Sequence, residues 1–258
     1  MFPFDSYLAH LDADSHLLAA AAAKGLEPDV PCCPGWTVRD VVLHVAELHA
    51  HKAELVAGSW VEESPPRPTL PEGADLLDWY RAQAARLYKT LEAADPSAPA
   101  NTFGRDRTVG FWFRRMAHET LVHRVDAEQA HGYESALDLE LAVDGVAELF
   151  DVFVSGHPVW ARFQPGQDVI RVDVGDRSWT VRLGKFVGSK KGRDYVVRTM
   201  MEEPGAEPGA VVTGDPDRVF LWMWGRAPID GLTLTGAPDI ADNFRTTCAR
   251  RQVQGSPR

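Results

Sequence analysis

Three residues in this sequence have the types and spacing to hold a metal ion: His44, Glu119 and His123. Glu119 and His123 lie four positions apart in Arg115-Met116-Ala117-His118-Glu119-Thr120-Leu121-Val122-His123-Arg124, a stretch that reads as helix. At about 100° per residue they fall about 40° apart on one helical face. His44 belongs to a second helical stretch, Gly35-Trp36-Thr37-Val38-Arg39-Asp40-Val41-Val42-Leu43-His44. A carboxylate and an imidazole one turn apart, joined by an imidazole from a facing helix, make a ligand set of the kind zinc prefers. Three protein ligands leave a fourth coordination position open, the mark of a catalytic rather than a structural site.

Each piece has an ordinary alternative. His44 sits among valines and leucines, where a single histidine is most often a satisfied core residue, and Glu-x-x-x-His pairs fall by chance on solvent faces. The neighbours of Glu119 tilt the balance. Phe111, Phe113, Met116, Ala117 and Leu121 mark this helix as largely buried, and a buried carboxylate needs a partner. A metal shared with two imidazoles would supply one. The other histidines fit less well. His118 lies about 140° from His123, and His118-Glu119-x-x-Val122 lacks the second histidine of the zincin pattern. His49 and His51 are expected to face solvent. Glu47 and Asp126 are candidates to orient an imidazole from behind, with ordinary surface charge as the alternative. Asp126 lies three residues past His123 on the same side.

Other chemically able residues carry less. Cys33 precedes Pro34-Gly35-Trp36 with no basic neighbour to lower its pKa, so it reads as packing under Trp36 rather than as a nucleophile. The adjacent Cys32 and Cys33 are poorly placed for a relaxed disulfide. Gly209, Gly214 and Gly225 form no phosphate-binding fingerprint. Arg226 closes Leu221-Trp222-Met223-Trp224-Gly225-Arg226. It reads either as a cation at a helix C-terminus or as a catalytic anion clamp for a carboxylate substrate.

The elements that must position these residues are legible. Four helices are expected before residue 132. They run from Phe4 to Lys24, from Thr37 to Ala57, from Ala74 to Ala94 and from Val109 to His131, with Gly25, Gly58 and Gly132 as stops. Thr37-Val38-Arg39-Asp40 opens the second as a capping box. Thr37 would accept from early backbone N–H groups, and Asp40 would answer. A Pro-rich loop from Ser64 to Pro71 separates the second and third helices. Four helices of this length make a bundle, and bundles build metal sites between facing helices.

The texture changes after Gly132. A helix from Leu139 to Val154 precedes two alternating runs, Val169–Val174 and Trp179–Leu183, joined by the turn Gly175-Asp176-Arg177-Ser178. Short strands are expected at Val196–Met200, Ala210–Thr213 and Leu232–Thr235, and helices at Asp217–Trp224 and Pro238–Arg250. The fold class is therefore mixed: a four-helix bundle over residues 1–132, then a smaller α+β domain over residues 138–250 with helices against one side of a sheet.

Composition narrows the class of partner. The 258 residues are 45% hydrophobic, enough for a sizeable core. A net charge of -10 without a basic cluster argues against nucleic acid or an anionic membrane surface. No signal peptide or bilayer-spanning run is read. Three cysteines, Cys32, Cys33 and Cys248, are no disulfide framework. A soluble cytoplasmic protein acting on a small molecule is expected, as a monomer or weak dimer.

These motifs resemble the mycothiol-dependent maleylpyruvate isomerase family of actinobacteria. The resemblance rests on Cys33-Pro34-Gly35-Trp36-Thr37-Val38-Arg39-Asp40-x-x-x-His44 and on Arg115-Met116-Ala117-His118-Glu119-Thr120-x-x-His123-Arg124-x-Asp126-Ala127-Glu128. More loosely, it extends to Leu139-Glu140-Leu141-Ala142-Val143-Asp144-Gly145 and to Gly214-Asp215-Pro216 through Trp224-Gly225-Arg226. It implies a DinB-like metal-binding bundle followed by a sterol-carrier-protein-like (SCP2-like) α+β domain. His44, Glu119 and His123 match the family's metal ligands. The implied cofactors are Zn2+ or another divalent metal, with mycothiol or a similar small thiol as cosubstrate. The implied reaction is cis–trans isomerisation of, or S-transfer to, a small electrophilic substrate. Arg81, Arg107 and Arg226 are the candidate substrate-binding arginines. A metal-dependent hydrolase and a non-enzymatic protein holding an apolar ligand are the alternatives.

Overall fold

The computed structural model of the chain describes residues 2–58, 60–154 and 158–255. It divides into two compact units, Met1–Ala136 and Leu137–Arg258.

The first unit is built from α1 (Phe4–Ala22), α2 (Val38–Ala57), α3 (Leu76–Glu92) and α4 (Gly110–Ala130). Helix α1 packs against α3 and α4, and α2 packs against the same two. Helices α1 to α3 bury recurring apolar positions, such as Tyr7, Leu11 and Leu18 on α1 or Tyr80, Ala84, Leu87 and Leu91 on α3. The start of α2 is fixed by Asp40, whose Oδ2 accepts from the backbone N–H and the hydroxyl of Thr37, each at 2.8 Å. Asp75 does the same for α3, accepting from the Asp78 N–H at 3.0 Å. Helix α4 is different, because it is buried on almost every side. It ends where Gly132 takes a φ of 77°.

The second unit opens with α5 (Leu139–Glu148), which continues as a π-helical turn over Leu149–Val154. The strands are β1 (Ala161–Val174), β2 (Arg177–Lys190), β3 (Arg193–Glu202), β4 (Ala210–Gly214) and β5 (Thr233–Gly236), and the helices are α6 (Pro216–Met223) and α7 (Pro238–Gly255). The sheet order is β3-β2-β1-β4-β5, with β1 and β4 parallel and every other pair antiparallel. Helix α7 lies against β1, β3 and β4, and α6 against β4.

The mixed fold class expected from the sequence is borne out. Strands β1 and β2 are longer than their alternating runs, and the helix from Leu139 is α-helical only as far as Glu148. Among the described residues no helix is long and apolar enough to cross a membrane.

Candidate metal centre

The packing of α2 on α4 carries His44 to Glu119 and His123. His44 Nε2 stands 3.3 Å and His123 Nε2 3.4 Å from the same oxygen, Glu119 Oε1. One ligand atom from each of the three residues lies within 4.8 Å of the other two.

The remaining polar atoms of this trio are occupied in ways that aim it. His123 Nδ1 is 2.8 Å from Asp126 Oδ2, so the Nδ1–H donates there and leaves Nε2 to face the cluster. Arg115 Nη2 donates to Glu119 Oε2 at 2.7 Å, which leaves Oε1 toward the imidazoles. Trp36 closes over both rings, at 5.2 Å from His44 and nearly parallel to His123 at 6.3 Å. The indole is delivered by a tight turn in which the Trp36 N–H bonds the Cys33 carbonyl at 2.9 Å. Pro34 and Gly35 are its central residues, and the Gly35 φ of 84° is what a type II turn requires at that position.

Electrostatics separate the three groups. Burial alone would raise the Glu119 carboxyl, but Arg115, His123 and His44 together hold it well below the usual carboxylate range. Burial would lower His123, yet its bonds to Asp126 and Glu119 prevail and push it up to about 9. Burial wins at His44, whose pKa is lowered against the pull of Glu119. With no cation bound, the cluster is therefore a carboxylate, a neutral imidazole and an imidazolium at neutral pH. A cation would have to take the proton's place on His123 Nε2.

The other residues singled out in the sequence fall as follows. Asp126 is fully buried and holds His123 from behind. Glu47 pairs instead with Arg67, at 3.8 Å. His49 does not face solvent as expected. It is fully buried, its Nε2 lies 2.9 Å from Thr120 Oγ1, and burial pushes its pKa down to about 3. The reason is that α2 packs on both α3 and α4, so its covered face is wider than a single stripe. His51 is half-buried, its Nε2 3.0 Å from the Pro65 carbonyl. His118 is fully buried, edge-on to Tyr7 at 6.2 Å. Arg81 pairs with Asp78 at 3.1 Å, and Arg107 donates to the Thr102 carbonyl. Arg226 lies in the second unit, where its Nη1 donates to the Trp224 carbonyl at 2.6 Å, at the end of α6.

Two features escaped the sequence reading. Arg115 stands four residues before Glu119, an ion-pair spacing legible in the sequence. Cys32 and Cys33 lie against Asp126, at 3.0 Å and 3.8 Å from its two oxygens. No sequence spacing could have shown that contact, because it joins residues more than ninety positions apart.

A helical unit with two imidazoles and a carboxylate converging across facing helices, followed by an α+β unit on a mixed sheet, defines the class: a two-unit protein with a candidate metal centre in its bundle. Comparison with known proteins gives the family. Residues 8–128 match the mycothiol maleylpyruvate isomerase N-terminal domain, and residues 140–242 match the MDMPI C-terminal domain. The chain belongs to the mycothiol-dependent maleylpyruvate isomerase family, an enzyme family. Two solved structures share the fold: the mycothiol-dependent maleylpyruvate isomerase and a histidine-to-alanine mutant of it. Each is 16% identical, covers 91% of this chain and 93% of its own, and superposes with a TM-score of 0.61. At that identity the likeness speaks for the fold. No curated protein matches the sequence.

Proposed function

We propose that this protein is a divalent-metal enzyme, with zinc as the ion, that uses a low-molecular-weight thiol of the mycothiol type. Its substrate is a small electrophile bearing a carboxylate, which it isomerises from cis to trans or to which it transfers sulfur. The observation that carries this reading is the convergence of His44 Nε2 and His123 Nε2 on Glu119 Oε1, at 3.3 and 3.4 Å. The donor set fits the ion, since two imidazoles and one carboxylate suit zinc and leave a position open. The family name and the name of the similar solved enzyme supply the thiol and the isomerisation.

A divalent ion held there would lower the pKa of a bound thiol and favour its anion. The chain's own residues prepare the place. Asp126 fixes the His123 ring by its Nδ1–H, Arg115 fixes the Glu119 carboxylate by its second oxygen, and Trp36 covers both imidazoles against water. A thiolate adding to an activated double bond permits rotation about the resulting single bond. Elimination then returns the thiol with the isomerised product. Arg226 is the proposed clamp for the substrate carboxylate. Its guanidinium chemistry suits that role, and Arg226→Ala should raise KM more than it lowers kcat.

The test follows thiol consumption and electrophile conversion together, across maleylpyruvate-like diacids and simple alkylating electrophiles. Turnover should require added thiol. An isomerase regenerates the thiol each cycle, whereas a transferase consumes it. Turnover equally fast without thiol would point to a hydrolase and overturn the reading.

A further inference from the structure

The bend from Val30 to Trp36 brings two thiols against the last turns of α4. Cys32 Sγ donates to Asp126 Oδ1 at 3.0 Å, and Cys33 Sγ lies 3.8 Å from Oδ2. One ligand atom from each of the three residues lies within 4.8 Å of the other two. Both thiols are half-buried, and the carboxylate beneath them is fully buried. We propose that Cys32, Cys33 and Asp126 form a second metal site, for a thiophilic divalent cation such as Zn2+ or Cd2+, joined to the His44–Glu119–His123 cluster through Asp126.

Three features of the arrangement carry this. The first is the donor set. Two sulfurs and a carboxylate oxygen are ligands that zinc and its softer relative cadmium accept, and open coordination positions would be filled by water. The second is preorganisation. The bend is tied by Val30 N–H to Trp36 O at 2.9 Å, Cys33 N–H to Val30 O at 3.1 Å and Trp36 N–H to Cys33 O at 2.9 Å. An ion would therefore order little chain on arrival, which favours binding. The third is the division of labour on Asp126. Its Oδ2 is held by His123 Nδ1 at 2.8 Å, while Oδ1 is the oxygen nearest Cys32. A cation on Oδ1 and the two sulfurs can displace the thiol protons to solvent without breaking the bond that orients His123. The half-buried sulfurs provide the way in.

The proposal does not depend on the metal reading of the histidine cluster, because thiolate ligation has its own optical signature. Reduced full-length protein titrated with Cd2+ should develop a thiolate-to-cadmium charge-transfer band that saturates, at one equivalent where the histidine cluster takes up no metal. The band should vanish in the Cys32→Ser, Cys33→Ser double variant and survive in His44→Ala. Asp126→Asn should weaken the binding at least tenfold. Cys248 is fully buried in the second unit, so Cys248→Ser should leave the band unchanged. Absence of the band in wild-type protein, or its persistence in the double variant, would overturn the proposal. If the double variant fails to fold, wild-type protein decides. Cd2+ should then slow alkylation of Cys32 and Cys33, mapped by peptide mass, and equal rates with and without the ion would overturn the site.

Discussion

Helix α4 and the β1–β2 pair both supply buried side chains to their own unit, and α4 adds polar ones where the strands bury only apolar ones. On α4 the buried side chains include Arg114, Arg115, His118, Thr120, His123, Arg124 and Asp126. On β1 and β2 they are Val169, Ile170, Val172, Val174, Val181, Leu183 and Phe186. The strands gain stability directly, by removing apolar surface from water at about 25 cal/mol per Å². The polar residues of α4 gain little that way, because each must find a partner to offset its desolvation. Arg124 finds Asp14 at 3.0 Å, Arg115 finds Glu119 at 2.7 Å and Thr120 finds His49 at 2.9 Å. A core needs no such network to be stable. On α4 the network sits among buried apolar side chains such as Phe111, Met116, Leu121 and Val125, so this helix carries both packing and polar chemistry.

That contrast can be broken or sharpened by substitution, and the largest effect should belong to the proposed ligands. Wild-type protein should carry about one divalent ion at the histidine cluster, measured by elemental analysis after dialysis against weak chelator. His123→Ala and His44→Ala should each lose nearly all of it, well over the roughly 100-fold that bounds an outer partner's loss. Unchanged metal in both variants would remove the assignment. Glu119→Gln should lower both occupancy and turnover, and not in proportion, since the amide also alters the charge at the site.

Asp126→Asn comes next. It keeps the shape behind His123 but weakens the acceptor, so metal affinity at the cluster should fall by about 10- to 100-fold while the fold persists. A variant that binds as tightly as wild type would mean that Asp126 does not orient the ring.

The second unit should answer in the other currency. Ile170→Ala removes a fully buried side chain paired across β2 and β4 and should cost about 2–5 kcal/mol of stability. Metal content should not change. Loss of metal in this variant would mean that the two units are not independent. Limited proteolysis gives a related check, with cutting expected between residues 132 and 138.

The smallest effect is a pH dependence of stability in chelator-treated protein. His123 has a folded pKa near 9 against an ordinary 6.5, so its contribution is full below 6.5 and lost as pH rises through 9. His49, pushed down to about 3, and His44, also lowered, must stay neutral in the fold, so each destabilises it as pH falls below 6.5. The denaturation midpoint should therefore peak near pH 6.5 and fall on both sides. Saturating metal should flatten the alkaline side, because a liganded His123 has already given up its proton. A midpoint that does not fall between pH 6.5 and 8 without metal would show that Asp126 and Glu119 do not hold the imidazolium, whereas above 8 the half-buried Lys52, lowered to about 8, adds the opposite slope.

Helix placement was legible because the signals were local: apolar periodicity, the Thr37–Asp40 start and the glycine stops. The trio was legible for the same reason, since two of its members share one helical face. Strand lengths were not. The alternating run expected over Trp179–Leu183 stops short of Gly184, whereas the backbone of β1 runs so close to β2 that neither Gly184 nor Gly188 has room for a side chain. A Cβ at Gly188 would fall 2.1 Å from the Trp160 carbonyl oxygen, and one at Gly184 would fall 2.4 Å from that of Gln164. Glycine there permits pairing rather than ending it. The bulge between Pro165 and Val169 hid the first half of β1 in the same way. His49 was misread because single-helix periodicity carries no information about how many neighbours a helix will have.

The pairing of Arg115 with Glu119 has a consequence for what the centre will attract. Arg115 pairs with Glu119 at 2.7 Å and offsets its charge, while Asp126 accepts from the His123 Nδ1–H at 2.8 Å. With His123 protonated, Arg115, Glu119, Asp126 and the two imidazoles sum to zero, and a dication that displaced that proton would leave them one positive. A loaded centre would then favour a monoanion, and either a thiolate or a carboxylate would bring it to neutrality. Without Arg115 the loaded centre would already be neutral and would draw neither. One guanidinium paired with Glu119 would thus select the charge of the molecule that arrives.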